Sequence, residues 1–283
     1  MASCFFFLLL LMCGVKEVKA TTLREVCVNK SFEVTLEALE PIEPHFGPVR
    51  GSELIAPLIS GKRALEIGGP TPEPINIYGW LAACDNVAQF ADAVHGRKDL
   101  ATEFNPTGDK ILGRTIIANA DDLAPIADET YDLLYASHIL EHMRDPLGAA
   151  LAWDRVLKPG GALFLIVPWK NTTFDRFRAP HTLEQLAQKF VRRQQNQDAL
   201  MVDFEQTVRA IDMDMDYGFP PGSSADDLRR RTLETPEGME MLHWHLFDFH
   251  LLTQLFHCLN YNIVAMDLLH PFHQVIVGVK QQQ

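Results

Sequence analysis

The sequence is short of paired cysteines, of positive charge and of long apolar runs, and each shortage removes a class of protein. Its 283 residues include 5 cysteines and no CxxC pair. Cys4 and Cys13 fall in the N-terminal apolar stretch. The other three, Cys27, Cys84 and Cys258, are odd in number and far apart, which suits neither a disulfide framework nor a zinc ribbon. Cys84 and Cys258 sit among apolar residues and read as buried thiols. Cations are outnumbered, with 25 Lys and Arg against 37 Asp and Glu and a net charge of −12. A nucleic-acid groove needs clustered Lys and Arg, so no nucleic-acid partner is expected. Arg229–Arg231 stand beside Asp226 and Asp227 and read as a solvated helix face. No internal repeat is visible, and the G-x-G-x-x-G spacing of dinucleotide-binding enzymes is missing.

A membrane-spanning helix takes about 20 apolar residues. The run Cys4–Val15 has only twelve, a length that fits a secretory h-region. Val18-Lys19-Ala20 places small residues at −3 and −1 for cleavage before Thr21. Residues 1–20 therefore read as a signal peptide, although a basic n-region is lacking. The expectation is a secretory-pathway or secreted chain with no transmembrane span once mature; an uncleaved, cytoplasmic chain is the alternative. Residues 21–49, with Pro41, Pro44 and Pro48, read as an N-terminal arm.

What is present is a globular composition, 47% hydrophobic and 22% charged, enough for one domain with additions. Its organising stretch is Lys62-Arg63-Ala64-Leu65-Glu66-Ile67-Gly68-Gly69-Pro70. The continuous apolar run predicts a buried strand. Gly68 and Gly69 then permit backbone torsions closed to other residues and a close approach of main chain to a ligand. An ordinary strand exit would look the same in isolation. Downstream, strands are predicted ending near Cys84-Asp85, at Thr115–Ala118, at Tyr131–Ala136 and at Ala162–Val167. A helix from Pro146 is stopped by Lys158-Pro159-Gly160-Gly161. Phe247–Leu259 reads as a helix, and Asn262–Leu268 and Gln274–Lys280 as a final hairpin. Strands alternating with helices mean an α/β fold with a mostly parallel sheet. Residues 183–240 read as a partly helical insertion over the mouth of the sheet.

Four ordered blocks carry a family resemblance: Leu65–Pro70, Asp85, Ala120-Asp121-Asp122-Leu123, and the run from Tyr131 to Pro168. That run includes Ser137-His138-Ile139-Leu140-Glu141-His142 and Arg155-Val156-Leu157-Lys158-Pro159-Gly160-Gly161. Over about residues 50–280 the chain resembles the class I S-adenosylmethionine-dependent methyltransferases, type 11 subgroup. The resemblance implies a Rossmann-like, seven-stranded, mostly parallel sheet with an antiparallel edge hairpin. It implies S-adenosylmethionine as cofactor and methyl transfer to a small-molecule acceptor. Gly68 and Gly69 would pass under the methionine part, and Glu66 would orient that turn and reach the cofactor amino group. Asp85, or alternatively Asn86, would take the ribose hydroxyls. Asp121 would hold the adenine amino group, Leu123 would form an apolar wall, and Ser137 would lie beside the sulfonium. Pro70, where the family has a third glycine, departs from the pattern, as do Pro72 and Pro74.

The catalytic candidates are His138, His142 and Asp175. His138 follows the fourth strand directly, and an imidazole of pKa about 6.5 suits accepting a proton from the acceptor. Asp175 belongs to a polar group, Lys170, Asp175, Arg178 and His181, expected to meet His243, His245 and Asp248 and either orient the acceptor or clamp the insertion. His138-Ile139-Leu140-Glu141-His142 also spells the H-x-x-E-H of zinc peptidases. Its setting after a buried strand favours the methyltransferase reading, and no metal site is expected. The alternatives are a non-catalytic cofactor-binding protein of the same fold and a zinc hydrolase.

Overall fold

The structure, a computed structural model, describes Cys27 and residues 55–88, 103–195, 201–216 and 218–282. The signal peptide and arm expected before residue 50 lie outside the described residues, Cys27 excepted. Among the described residues no helix is long and apolar enough to cross a membrane.

The organising strand forms where the sequence places it. β1 (Arg63–Ile67) is buried from Ala64 onward, as a strand covered on both faces must be. It is joined by β2 (Ala83–Ala88), β3 (Glu103–Phe104), β4 (Gly113–Ile117), β5 (Tyr131–Ser137), β6 (Leu157–Pro168), β7 (Tyr261–Leu269) and β8 (His273–Lys280). They make one sheet in the order β3-β4-β2-β1-β5-β6-β8-β7. The pairs β4·β2, β2·β1, β1·β5 and β5·β6 are parallel. β8 runs antiparallel between β6 and β7, completing the edge hairpin. The sheet has eight strands rather than seven because β3, a two-residue piece, pairs antiparallel with β4 at the far edge. Chain order reverses between β1 and β5, the place where open α/β sheets leave a crevice at their carboxyl ends.

Alternation along the central strands divides the core into two layers. Leu65, Ile67, Leu134 and Ala136 face a cluster with Leu147, Trp153, Leu251 and Leu255, from α2 (Pro146–Val156) and α7 (Phe249–Cys258). Ala64, Leu133 and Tyr135 face the other layer, with Ile59, Tyr78 and Phe164. Ile59 ends the short α1 (Ala56–Ile59). Burying each such side chain stabilises by roughly 1.5–3 kcal/mol. α2 starts at Pro146, where a missing N–H costs nothing, and the Asp145 carboxylate caps it by accepting from Gly148 N at 2.9 Å. No α-helix lies between β1 and β2; that connection is the proline-rich segment plus one 3-10 turn, Tyr78–Trp80.

The insertion is helical: α3 (Leu183–Gln194), α4 (Met201–Ala210), α5 (Ala225–Glu234) and α6 (Pro236–Met241). It has its own small core, Phe204, Val208, Ile211, Leu228, Leu242 and Trp244.

Two expectations are corrected here. Cys258 is no free thiol, since it forms a disulfide with Cys27 and ties that residue to the end of α7; Cys84 is a buried free thiol as anticipated. The second strand does not end at Asp85, which is its third residue, level with Leu65 in mid-β1. The Asp85 carboxylate accepts from the Arg63 guanidinium at 3.0 Å, from Tyr131 OH at 2.8 Å and from Arg114 N at 3.0 Å. Arg63 and Tyr131 open β1 and β5, so Asp85 points to the amino edge of the sheet, away from the crevice. Burial pushes its pKa up, but these donors outweigh that and hold it below the usual carboxylate range. Asp85 ties its strand to three others at the amino edge instead of facing the crevice where a ribose was expected.

Candidate active site at the carboxyl edge of the sheet

The glycine turn leaves β1 beside the crevice and is held from beneath. Gly68 donates its N–H to Val87 O at 2.9 Å and has φ +76°. A Cβ there would stand 2.4 Å from Ile139 Cδ1, so the turn needs glycine for both torsion and space. At Gly69 a Cβ would lie 2.1 Å from the Glu66 carboxylate. Asn86, fully buried, brackets the same residue. Its Oδ1 accepts from Gly69 N at 2.9 Å and its Nδ2 donates to Gly69 O at 3.2 Å. Asn86 is thus a brace for the turn rather than a ribose acceptor.

Glu66 performs the orienting part of its expected role. Its carboxylate accepts from Thr71 N at 2.9 Å and from Tyr78 OH at 2.8 Å. Burial dominates and, despite these donors, pushes its pKa up to about 7. The carboxyl group therefore sits folded under the turn.

Along the crevice, Ala118 N donates to Ala88 O at 3.0 Å as β4 ends. Asp121 and Leu123 follow, and neither is placed as foreseen. The Asp121 carboxylate forms an ion pair with Arg193 of α3, so in this structure it fastens the insertion to the sheet instead of facing an open adenine site. Leu123 is fully buried in the larger core cluster and is core, not a pocket wall. Trp153 donates its indole N–H to Ala120 O at 2.9 Å and pins the turn between them. Ser137 ends β5 at the crevice, with a buried Oγ that has no hydrogen-bond partner.

His138 comes next, in the left-handed region at φ +55°, and its N–H is tied to Ile166 O at 2.8 Å. That torsion turns the chain sharply, setting Ile139 against Gly68 and starting a single 3-10 turn, Leu140–His142. His138 Nε2 lies 2.7 Å from Nδ1 of His273, the first residue of β8. Its Nδ1 lies 3.4 Å from Glu141 Oε1. The H-x-x-E-H signature therefore straddles a left-handed residue and a one-turn 3-10 helix. The shared α-helical face that zinc peptidases use is not there.

The polar residues beyond β6 partly converge as expected. Asp175 is fully buried, with Arg178 Nη1 at 2.5 Å from one oxygen and His243 Nδ1 at 2.5 Å from the other. Arg178 also donates to His243 O at 2.7 Å. Burial raises the Asp175 pKa, but its bond from His243 and the Arg178 charge hold it below the ordinary range. Both Asp175 oxygens are thus taken up by Arg178 and His243. His181 and His245 lie tilted against one another with centroids 5.2 Å apart. Asp248 does not join them; it caps α7 by accepting from Leu251 N at 2.8 Å. Lys170 turns to Arg176 O at 3.1 Å. His142 Nδ1 is bound to Leu242 O at 3.1 Å. His273 was missed in the sequence, where nothing marks it; only the hairpin brings it beside His138.

The raised Glu66 pKa makes a signed prediction. Because the folded state favours the protonated carboxyl, the Glu66 contribution is full below the unfolded value of about 4.3. It is lost as pH rises through about 7. Thermal unfolding of wild type and Glu66→Gln across this range should show the variant gaining on wild type as pH increases. A difference that stays flat with pH would contradict the assignment.

Residues 82–165 match the family described as "Methyltransferase domain". No curated protein matches the chain in sequence. Among solved structures, a SAM-dependent methyltransferase from Methanosarcina mazei is 17% identical, covering 83% of this chain and 100% of its own, with a TM-score of 0.46. One from Mesorhizobium loti is 10% identical, covering 79% and 93%, with a TM-score of 0.45. The trans-methyltransferase CalH, solved in complex with SAH, is 13% identical, covering 80% and 53%, with a TM-score of 0.44. Residues 82–165 are thus similar to that methyltransferase family.

Proposed function

We propose that this protein transfers a methyl group from S-adenosylmethionine to a small polar acceptor. The observation that carries the proposal is the braced glycine turn, Gly68-Gly69, opening on the carboxyl edge where the sheet reverses its order. The donor set fits the cofactor at that turn. Gly68 and Gly69 let Ile139 and the Glu66 carboxyl close against one side of the turn, and the buried Ser137 Oγ is a polar group at the neighbouring end of β5. The cofactor, when bound, supplies an activated methyl on sulfur. The chain supplies binding, alignment and exclusion of water, which for an in-line displacement is most of the work.

His138 is the residue best placed to manage the acceptor's proton. Its Nε2 lies 2.7 Å from His273 Nδ1 and its Nδ1 3.4 Å from Glu141 Oε1, which fixes the orientation of the ring at the end of β5. Asparagine tolerates a left-handed torsion better than alanine, so His138→Asn tests the side chain with little backbone strain. We expect calorimetry to show S-adenosylmethionine binding at wild-type affinity in this variant. Turnover of labelled methyl groups against a metabolite pool should fall by roughly 10²–10⁴. Loss of binding in His138→Asn would make the residue structural. Binding without turnover in the wild-type protein would favour the non-catalytic alternative.

We also propose passage through the secretory pathway. The N-terminal apolar run supports it, as does the Cys27–Cys258 disulfide, since such bonds persist in oxidising compartments. N-terminal sequencing of material from a eukaryotic secretory host should read from Thr21, and an intact Met1 would refute the cleavage.

A further inference from the structure

One buried charge is not accounted for by the methyl-transfer reading. Glu141 is 1% exposed, and neither of its carboxylate oxygens has a hydrogen-bond partner. The nearest approaches are imidazoles, His138 Nδ1 at 3.4 Å and His142 Nε2 at 3.8 Å. An ionised carboxylate buried without donors is costly. Asp175, close by, is different: the Arg178 guanidinium already balances it.

The histidines beside Glu141 are arranged in a telling way. His142 directs Nδ1 to the Leu242 carbonyl oxygen, which fixes a proton on that nitrogen and leaves the Nε2 lone pair free. His243 directs Nδ1 to the Asp175 carboxylate, with the same consequence for its Nε2. One ring held by a backbone carbonyl and the other by a buried carboxylate is how ligating histidines are oriented and made more basic. One donor atom each from Glu141, His142 and His243 lie within 4.8 Å of one another. Donors around a tetrahedral zinc ion stand roughly 3.3 Å apart, from bond lengths near 2.0–2.1 Å. The group is slightly open and needs only small side-chain movements to close.

We propose that Glu141, His142 and His243 bind one divalent transition-metal ion of the zinc type, with a fourth position left for water or an acceptor atom. Two nitrogens and one carboxylate are the ligand count of an open, reactive site rather than a closed structural one. The second histidine is His243, from beyond the insertion, and not His138 of the H-x-x-E-H segment. This differs from a peptidase site and from the sequence expectation of no metal. The helical insertion lies between the 138–142 turn and His243 in the chain, so the ion would also fasten the insertion to the sheet. The proposal stands apart from methyl transfer, because metal uptake is read without turnover.

The test uses the full chain without a histidine tag, stripped with a chelator and titrated with Zn²⁺ against a colorimetric competitor. One ion per chain is expected. His142→Ala and His243→Ala should each weaken binding by at least about 100-fold, and Asp175→Asn by about 10–100-fold, the range for a lost orienting partner. Zn²⁺ should raise the melting temperature of wild type and leave Glu141→Gln unmoved. Co²⁺ added to stripped wild type should give the intense visible bands of tetrahedral coordination, a readout that survives if a variant does not fold. Stripped wild type that binds no ion saturably, a Co²⁺ spectrum of the hydrated ion, or unchanged affinity in a folded His243→Ala would overturn the proposal.

Discussion

Everything at the functional edge depends on the contact between the Glu66 carboxyl and Gly69. The carboxyl lies where a Gly69 side chain would be, and it holds Thr71 and Tyr78 in place. Asn86 grips the same glycine from the neighbouring strand. Gly68 is pressed by Ile139 from the turn after β5. A single bare stretch of backbone is thus fixed by β1, β2 and the 138–142 turn at once. In many doubly wound folds a helix N-terminus would help at this place. Here prolines and a 3-10 turn follow instead, and side chains take over the bracing.

The two edges of the sheet divide structural and chemical duties. At the amino edge, Asp85 joins Arg63, Arg114 and Tyr131, and Lys158 reaches Asp132 at 2.7 Å. At the carboxyl edge, buried polar atoms are left open, among them Ser137 Oγ and both oxygens of Glu141. Polar groups that a fold leaves unpaired while buried are costly, and others of the kind, Arg231 Nε and Thr232 Oγ1, stand in α5 of the insertion.

The sheet was legible because its strands are continuous apolar runs bounded by glycine, proline and acids. β5, β6 and the β7–β8 hairpin fall within a few residues of where periodicity places them, although β6 begins earlier, at Leu157, through a bulge opposite Tyr131. Asp85 misled because an acid after an apolar run looks like a strand end. A buried acid satisfied by Arg63 and Tyr131, from other strands, leaves no local trace. Asp121 misled for the same reason, its partner Arg193 standing far along in the insertion. The Cys27–Cys258 bridge spans a sequence separation of 231 residues, beyond any local pattern. Asp175 and His243 were legible as members of one polar group, but whether that group clamps or reacts depends on which nitrogen each ring presents. Only the fold decides that.

The central claim is that the donor binds at the carboxyl edge, on the turn held by Glu66 and Asn86. Diffraction from crystals grown with S-adenosylhomocysteine tests it most directly. The account predicts density lying over Gly68 and Gly69, with the sulfur toward Ser137 and His138 and nothing bound at Asp85. Density at the amino edge among Arg63, Asp85 and Tyr131, or a glycine turn untouched by a ligand bound elsewhere, would contradict it.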